Sequence, residues 1–311
     1  MAQVNPDPTR HFNIISLDGG GVRGTIEAVV IDRLTKEFPK LLRDVDLIAG
    51  TSTGGIQALG LAAGNPPPDT RELYEKMSKH IFADSFLDDF RDLWKLGGAD
   101  YSNKNLKKVL QAQFGDMSLA ELEKRVVIPS FDLDNGYINE HRNWKLKVFH
   151  NFEGRDSDGD EKVVDIGLRT AAAPTYFPTV DGYVDGGVVV NNPSMVAVAQ
   201  ALDSRGGNQD LKDIKVLSLG CGKLGRFIKG SNHDWGIVQW APYLFFMMME
   251  GGIDMIHFQT KQILGDRYHR INPILDEKFA IDDWKKVPKL VEIAENIDLA
   301  PTVEWLEENW K

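Results

Sequence analysis

Three short stretches hold residue types that could do chemistry. Gly50-Thr51-Ser52-Thr53-Gly54-Gly55 contains Gly-x-Ser-x-Gly, the pattern of a nucleophile elbow. In such an elbow a serine sits on a strained strand-to-helix turn that pushes its hydroxyl clear of the backbone, and the flanking glycines let the chain turn that tightly. A serine hydroxyl needs a base. The chain has 7 histidines, and His233, His257 and His269 follow in the order of a Ser-Asp-His triad, although none sits in a local motif. Asp185 is a better partner. It lies in Val184-Asp185-Gly186-Gly187 on an apolar run followed by Asn191-Asn192-Pro193. An acid embedded there must be hydrogen-bonded, and burial would raise its pKa and make it a stronger base. The competing reading of these residues is a plain Asp-Gly turn, as at Asp181-Gly182.

The third stretch is Asp18-Gly19-Gly20-Gly21-Val22-Arg23-Gly24. It follows one apolar run and opens a helix-like one, so its amides and the helix N-terminus make a ready site for an oxyanion or a phosphate. Gly19, Gly21 and Gly24 also satisfy the dinucleotide pattern Gly-x-Gly-x-x-Gly, and Asp44 lies 20 residues beyond. That reading fails on placement: Asp44 precedes the second apolar run, where a ribose-binding acid should end it, and an arginine inside the loop is atypical. Cys221 is the 1 cysteine, so neither an internal disulfide nor a Cys/His metal set is available. The runs Asp156-x-Asp158-x-Asp160 and Asp132-x-Asp134-x-Gly136 miss the calcium-loop spacing. No metal and no other cofactor is expected.

These residues need elements to hold them. Apolar runs at 12–17, 45–49, 126–133, 144–149, 184–190 and 214–219 read as strands. Helical spacing marks 25–38 and 55–63, and the run Asn65-Pro66-Pro67-Pro68 reads as a break before helices at 69–82 and 84–96. Phe86, Leu87, Phe90, Leu93 and Trp94 form an apolar stripe, expected to pack on the core or to wall an acyl pocket. The residues after 222 look mostly helical, with Val303, Leu306 and Trp310 on one face of a last helix. The apolar stretch 240–249 offers the same two readings, core or a wall of the acyl pocket, with core expected. Strands alternating with helices imply a mostly parallel sheet between helix layers, and no linker divides the chain, so 1–311 is expected to form a single domain.

Composition narrows the partners. With 36 Lys and Arg against 46 Asp and Glu, the formal charge of −10 disfavours nucleic acid and anionic surfaces, and contact with lipid would have to rest on apolar area. The polar first ten residues do not resemble a signal peptide, and stretch 240–249 is too short to span a bilayer. A cytoplasmic location is expected, with peripheral contact at membranes or micelles.

The glycine loop, the Ser52 elbow and the Asp185-Gly186-Gly187 block together resemble the signature blocks of the patatin-like phospholipases. Ala171-Ala-Ala-Pro-Thr-Tyr-Phe-Pro178 and Ser218-Leu-Gly-Cys-Gly222 resemble further blocks, so the matches run in family order from about residue 12 to 222; Cys221 stands where the family more often has threonine. The resemblance implies a three-layer α/β/α fold and a lipid acyl hydrolase of phospholipase A or lysophospholipase type. It implies Ser52 as nucleophile and Asp185 as base. Gly19, Gly20 and Gly21 would form the oxyanion hole, with Arg23 holding the loop or its ligand. The substrate would be a phospholipid or another acyl-ester lipid. Two other readings are a storage or binding protein on the same fold with weak esterase activity, and a general esterase with a histidine-containing triad.

Overall fold

The structure, a computed structural model, describes residues 11–82, 99, 101–137, 141–225 and 227–310. Strand β1 (Phe12–Leu17) is buried at every position and pairs in parallel on both sides, which is why it reads as an unbroken apolar run without alternation. The chain then passes through α1 (Thr25–Glu37), β2 (Leu47–Gly50), α2 (Thr53–Ala62), α3 (Pro67–Phe82), α4 (Asn103–Phe114), β3 (Arg125–Asp132), β4 (Lys145–His150), α5 (Val163–Thr170), β5 (Tyr183–Asp185) and α6 (Ser194–Leu202). It continues with β6 (Ile214–Leu219), β7 (Lys223–Leu224), α7 (Ile237–Leu264), β8 (Tyr268–Ile271), β9 (Ile274–Leu275), α8 (Val287–Glu295) and α9 (Ala300–Asn309).

The main sheet runs β4-β3-β2-β1-β6-β8, parallel from β3 to β8, with β4 and β5 antiparallel to β3. Side chains alternate across it. Ile15 and Leu17 enter a core shared with α1, α2, α5, α8 and α9, while Phe12 and Ile14 enter a second core against α6 and Leu264. This is the expected α/β arrangement, a mostly parallel sheet between helices. The C-terminal residues belong to the first core: the Trp310 ring nitrogen donates to the Leu41 carbonyl at 3.1 Å, and Arg33 donates to the carbonyls of Ala294 and Ile297 at 2.6 and 2.9 Å. Among the described residues no helix is long and apolar enough to cross a membrane.

Several elements differ from the sequence reading. The strand expected over 184–190 ends at Asp185, because Gly186–Val188 turns into a 3-10 helix whose first residue lies against the Pro129 carbonyl. The proline run does not delay α3, which starts at Pro67; proline suits a first helical turn, where its missing amide has no partner to lose. The residues after 222 are mostly helical as expected, in α7, α8 and α9, but they also supply the short strands β7, β8 and β9. Stretch 240–249 is not core: Tyr243, Leu244, Phe246, Met247 and Met248 are exposed on α7. The helix expected over 84–96, with its apolar stripe, lies outside the described residues.

Candidate active site

Gly50, the last residue of β2, and Gly54, in the first turn of α2, make the elbow possible. A Cβ on Gly50 would lie 2.1 Å from the Gly54 carbonyl oxygen, and one on Gly54 would lie 2.5 Å from the carbonyl oxygens of Leu17 and Asp18. Between them Ser52 takes φ 54° and ψ −120°, a left-handed conformation that a serine adopts only under constraint. The constraint is visible. The Ser52 amide donates to Thr170 Oγ1 at 3.1 Å, and Thr51 Oγ1 donates to the Val190 carbonyl at 2.7 Å.

The strained turn delivers the Ser52 hydroxyl to Asp185, whose Oδ2 accepts from Ser52 Oγ at 2.6 Å. Asp185 ends β5, opposite Ser130 of β3, and its other oxygen accepts from the Gly187 amide at 2.7 Å. Both oxygens are thus fixed, and among the described residues no cation pairs with them. Burial pushes the carboxyl up to about 6, against the opposing pull of the two hydrogen bonds.

The glycine loop lies beside this pair: a Cβ on Gly19 would be 3.3 Å from Ser52 Cβ. Its amides are not equivalent. The Gly19 amide donates to the Asn191 carbonyl at 3.0 Å, while Asn191 Nδ2 donates back to the Gly19 carbonyl at 3.0 Å. Gly20 and Gly21 precede and open the 3-10 turn Gly21–Gly24, where amides have no intrahelical acceptor, and among the described residues none accepts from them. Arg23 ties the loop down, donating from Nε to the Gly20 carbonyl and from Nη1 to the Gly222 carbonyl, each at 3.4 Å.

Sequence reasoning missed what anchors the start of the loop. Arg270 of β8 makes a two-pronged ion pair with buried Asp18, at 3.2 and 2.5 Å, and also donates to Ser218 Oγ at 2.6 Å. Glu27 of α1 accepts from the Asp18 amide at 2.8 Å, and burial, with the neighbouring Asp18 charge, holds its carboxyl well above the ordinary range. Nothing local announces Arg270, which sits in a strand of 4 residues and meets Asp18 across 252 positions. Asn191 falls inside a stretch that the sequence does single out and Thr170 lies one residue before another, but their partners are visible only in three dimensions.

A cavity of about 400 Å³ opens over the pair, lined among others by Arg23, Ser52, Asp185, Met249 and Ile253. A narrower slot of about 90 Å³ reaches Ser52 from the side of α2, α3 and α4, between Ile56, Leu73, Leu106, Leu110 and Phe177. Among the described residues, no histidine lines either space. His257 pairs with the Tyr268 hydroxyl, His269 with Thr302 Oγ1, and His233 stacks on Trp235. Cys221 lines the larger cavity, but burial pushes its thiol well up, which keeps it un-ionised and unreactive.

A strained serine on a strand–helix turn, hydrogen-bonded to a buried aspartate beside a glycine loop, is a hydrolase-like site on a parallel α/β sheet. Residues 15–198 match the model of the patatin-like phospholipases, and the chain belongs to that family. Its relatives include Protein teg of Priestia megaterium, 30% identical over 96% of this chain and 99% of that protein. They also include a cGAMP-activated phospholipase of Pseudomonas aeruginosa, 31% identical over 91% of this chain and 83% of that one. Patatin-like protein 2 of Arabidopsis thaliana is 28% identical over 84% and 74%.

Proposed function

We propose that the protein is a lipid acyl hydrolase of phospholipase A or lysophospholipase type, working through Ser52 and Asp185. The 2.6 Å hydrogen bond between the Ser52 hydroxyl and a buried carboxylate carries the reading, and membership of a phospholipase family supports it. Asp185 accepts the hydroxyl proton as Ser52 Oγ bonds to the ester carbonyl carbon. The developing oxyanion is met by the Gly20 and Gly21 amides, a kind of contact generally worth several kcal/mol. Of the three loop glycines Gly19 is the poorest donor, since its amide already serves the Asn191 carbonyl. Arg23 positions the loop through the Gly20 carbonyl. The carbon–oxygen bond to the leaving alcohol breaks as Asp185 returns the proton to that oxygen. Water, deprotonated by the same carboxylate, then attacks the acyl-enzyme, and Ser52 leaves with its proton restored. The apolar slot suits the acyl chain, and the larger cavity with Arg23 on its wall suits the remainder of the lipid.

The three histidines in triad order, His233, His257 and His269, are engaged with Trp235, Tyr268 and Thr302 and line neither space, which speaks against a triad built on them. A fluorophosphonate probe should label Ser52, and Ser52→Ala should abolish both labelling and release of fatty acid from phosphatidylcholine in mixed micelles. Wild-type rates in that variant would overturn the assignment.

A further inference from the structure

Helix α7 has 28 residues, and its first half, IVQWAPYLFFMMM, carries no charged side chain. A helix apolar on every side belongs in a core or against lipid. This one is not in a core: Ile237 and Val238 are each 80% exposed and Met248 is 70% exposed. At 100° per residue the helix has two distinct apolar faces. Phe246, Met249 and Ile253 lie on one and wall the cavity that holds Ser52. Ile237, Leu244, Met248 and Met255 lie on the other, and all four are exposed. Aromatic rings gather at the helix start, with Trp235 and Trp240 centred 5.1 Å apart and Trp235 and Tyr243 5.7 Å apart. Tryptophan and tyrosine in such a position suit the headgroup level of a bilayer.

We propose that the outer face of α7 inserts into the interfacial layer of a lipid surface and sets the mouth of the Ser52 cavity against it. The proposal rests on the reading of the site as a lipid hydrolase, because it takes the occupant of this face to be the substrate's own phase. Continuity with the site favours lipid over a second copy of the chain. Phe246 belongs to the cavity wall yet is 38% exposed, so the cavity opens beside α7, and a protein docked there would stand at the entrance. Charge selects the kind of lipid. The chain carries −10, and the one lysine facing α7's acids from β7, Lys223, is already paired with Asp254 at 2.7 Å. The net charge opposes attraction to an anionic surface, so burial of apolar area on a zwitterionic surface is the driving force.

Flotation of the Ser52→Ala protein with phosphatidylcholine vesicles tests this without turnover. The protein should float, equally at low and high salt, and its tryptophan fluorescence should be quenched by brominated phosphatidylcholine. The double variant Ile237→Asp/Met248→Asp lies on the outer face and changes neither cavity wall nor site. It should keep its circular dichroism spectrum and its turnover of a water-soluble p-nitrophenyl ester, while its partitioning onto vesicles falls roughly tenfold or more. Failure of the Ser52→Ala protein to float or to be quenched would overturn the proposal. So would a wild-type dimer in size-exclusion chromatography that the Asp variant dissolves while neither protein floats. Flotation by a protein whose wild-type form cleaves no ester would instead retain the docking surface and reject the hydrolase reading.

Discussion

At Asp185 the burial that makes the carboxylate basic also makes its charge costly to hold. Its folded pKa of about 6 stands above the ordinary 3.8, so the folded chain binds this proton more tightly than the unfolded one. Below pH 4 the two states are both protonated and the group costs nothing. As pH rises toward 6 the unfolded chain ionises first, and stability falls until the folded carboxyl ionises too. The separation corresponds to about 3 kcal/mol above pH 6. Asp185→Asn can keep both contacts, its oxygen accepting from the Gly187 amide and its amide donating to Ser52 Oγ, yet it carries no charge and accepts no proton. Activity on a p-nitrophenyl ester should drop by roughly 10²–10⁴-fold. Urea unfolding should find the variant more stable than wild type by about 1–3 kcal/mol at pH 8, with the gap closing at pH 4. In the wild type, kcat/KM should rise through an acid limb near pH 6, since only the ionised carboxylate takes the proton; a limb near 4 would mean an exposed, ordinary aspartate.

The elements around Ser52 assign each space a role that substitution can separate. The slot between α2, α3 and α4 is apolar and ends at the nucleophile, so each methylene it takes in should strengthen binding by about 0.8 kcal/mol until it is full. Ile56, in α2 and only partly buried, borders it. Ile56→Trp should shorten the slot, lowering kcat/KM for p-nitrophenyl octanoate several-fold while leaving the acetate ester near wild type. An equal loss on both esters would show that the chain lies elsewhere. The elbow and the glycine loop were legible in the sequence because strained turns and close backbone approaches demand glycine locally, as at Gly50 and Gly54, where a Cβ would meet a carbonyl oxygen. The strand carrying Ser52 and the helix after it followed from short apolar runs. Arg270 and Thr170 escaped because each acts through a partner far away in the chain, and Glu27, 9 positions from Asp18, because it reads as one more polar residue of a helix; none needs a special backbone. Two-sided exposure of α7 escaped for the opposite reason: an apolar run reads as core whether a core or something else covers it.

At the scale of the whole molecule, elements from both halves of the chain meet around the site. β1 feeds the glycine loop, β8 supplies the arginine that holds Asp18, α8 packs on α1, and α9 joins the same core beside β8. Trp310 is the last large side chain of this contact: it is 2% exposed, belongs to the same core as Leu34 and Leu41, and its ring nitrogen satisfies the Leu41 carbonyl. Replacing it with alanine would leave a large cavity and an unpaired buried carbonyl, a change of about 3–5 kcal/mol. Were residues 223–311 a separate unit, that loss would be confined to it, and unfolding would split into two steps, the first leaving the Ser52 site intact. Because the C-terminal helices share their core with α1, the loss should instead appear as one cooperative transition at lower urea. Far-ultraviolet circular dichroism and fluorophosphonate labelling of Ser52, followed through the same titration of Trp310→Ala, should give coincident midpoints. Labelling that outlasts the first half of the dichroism change would establish two units in place of one.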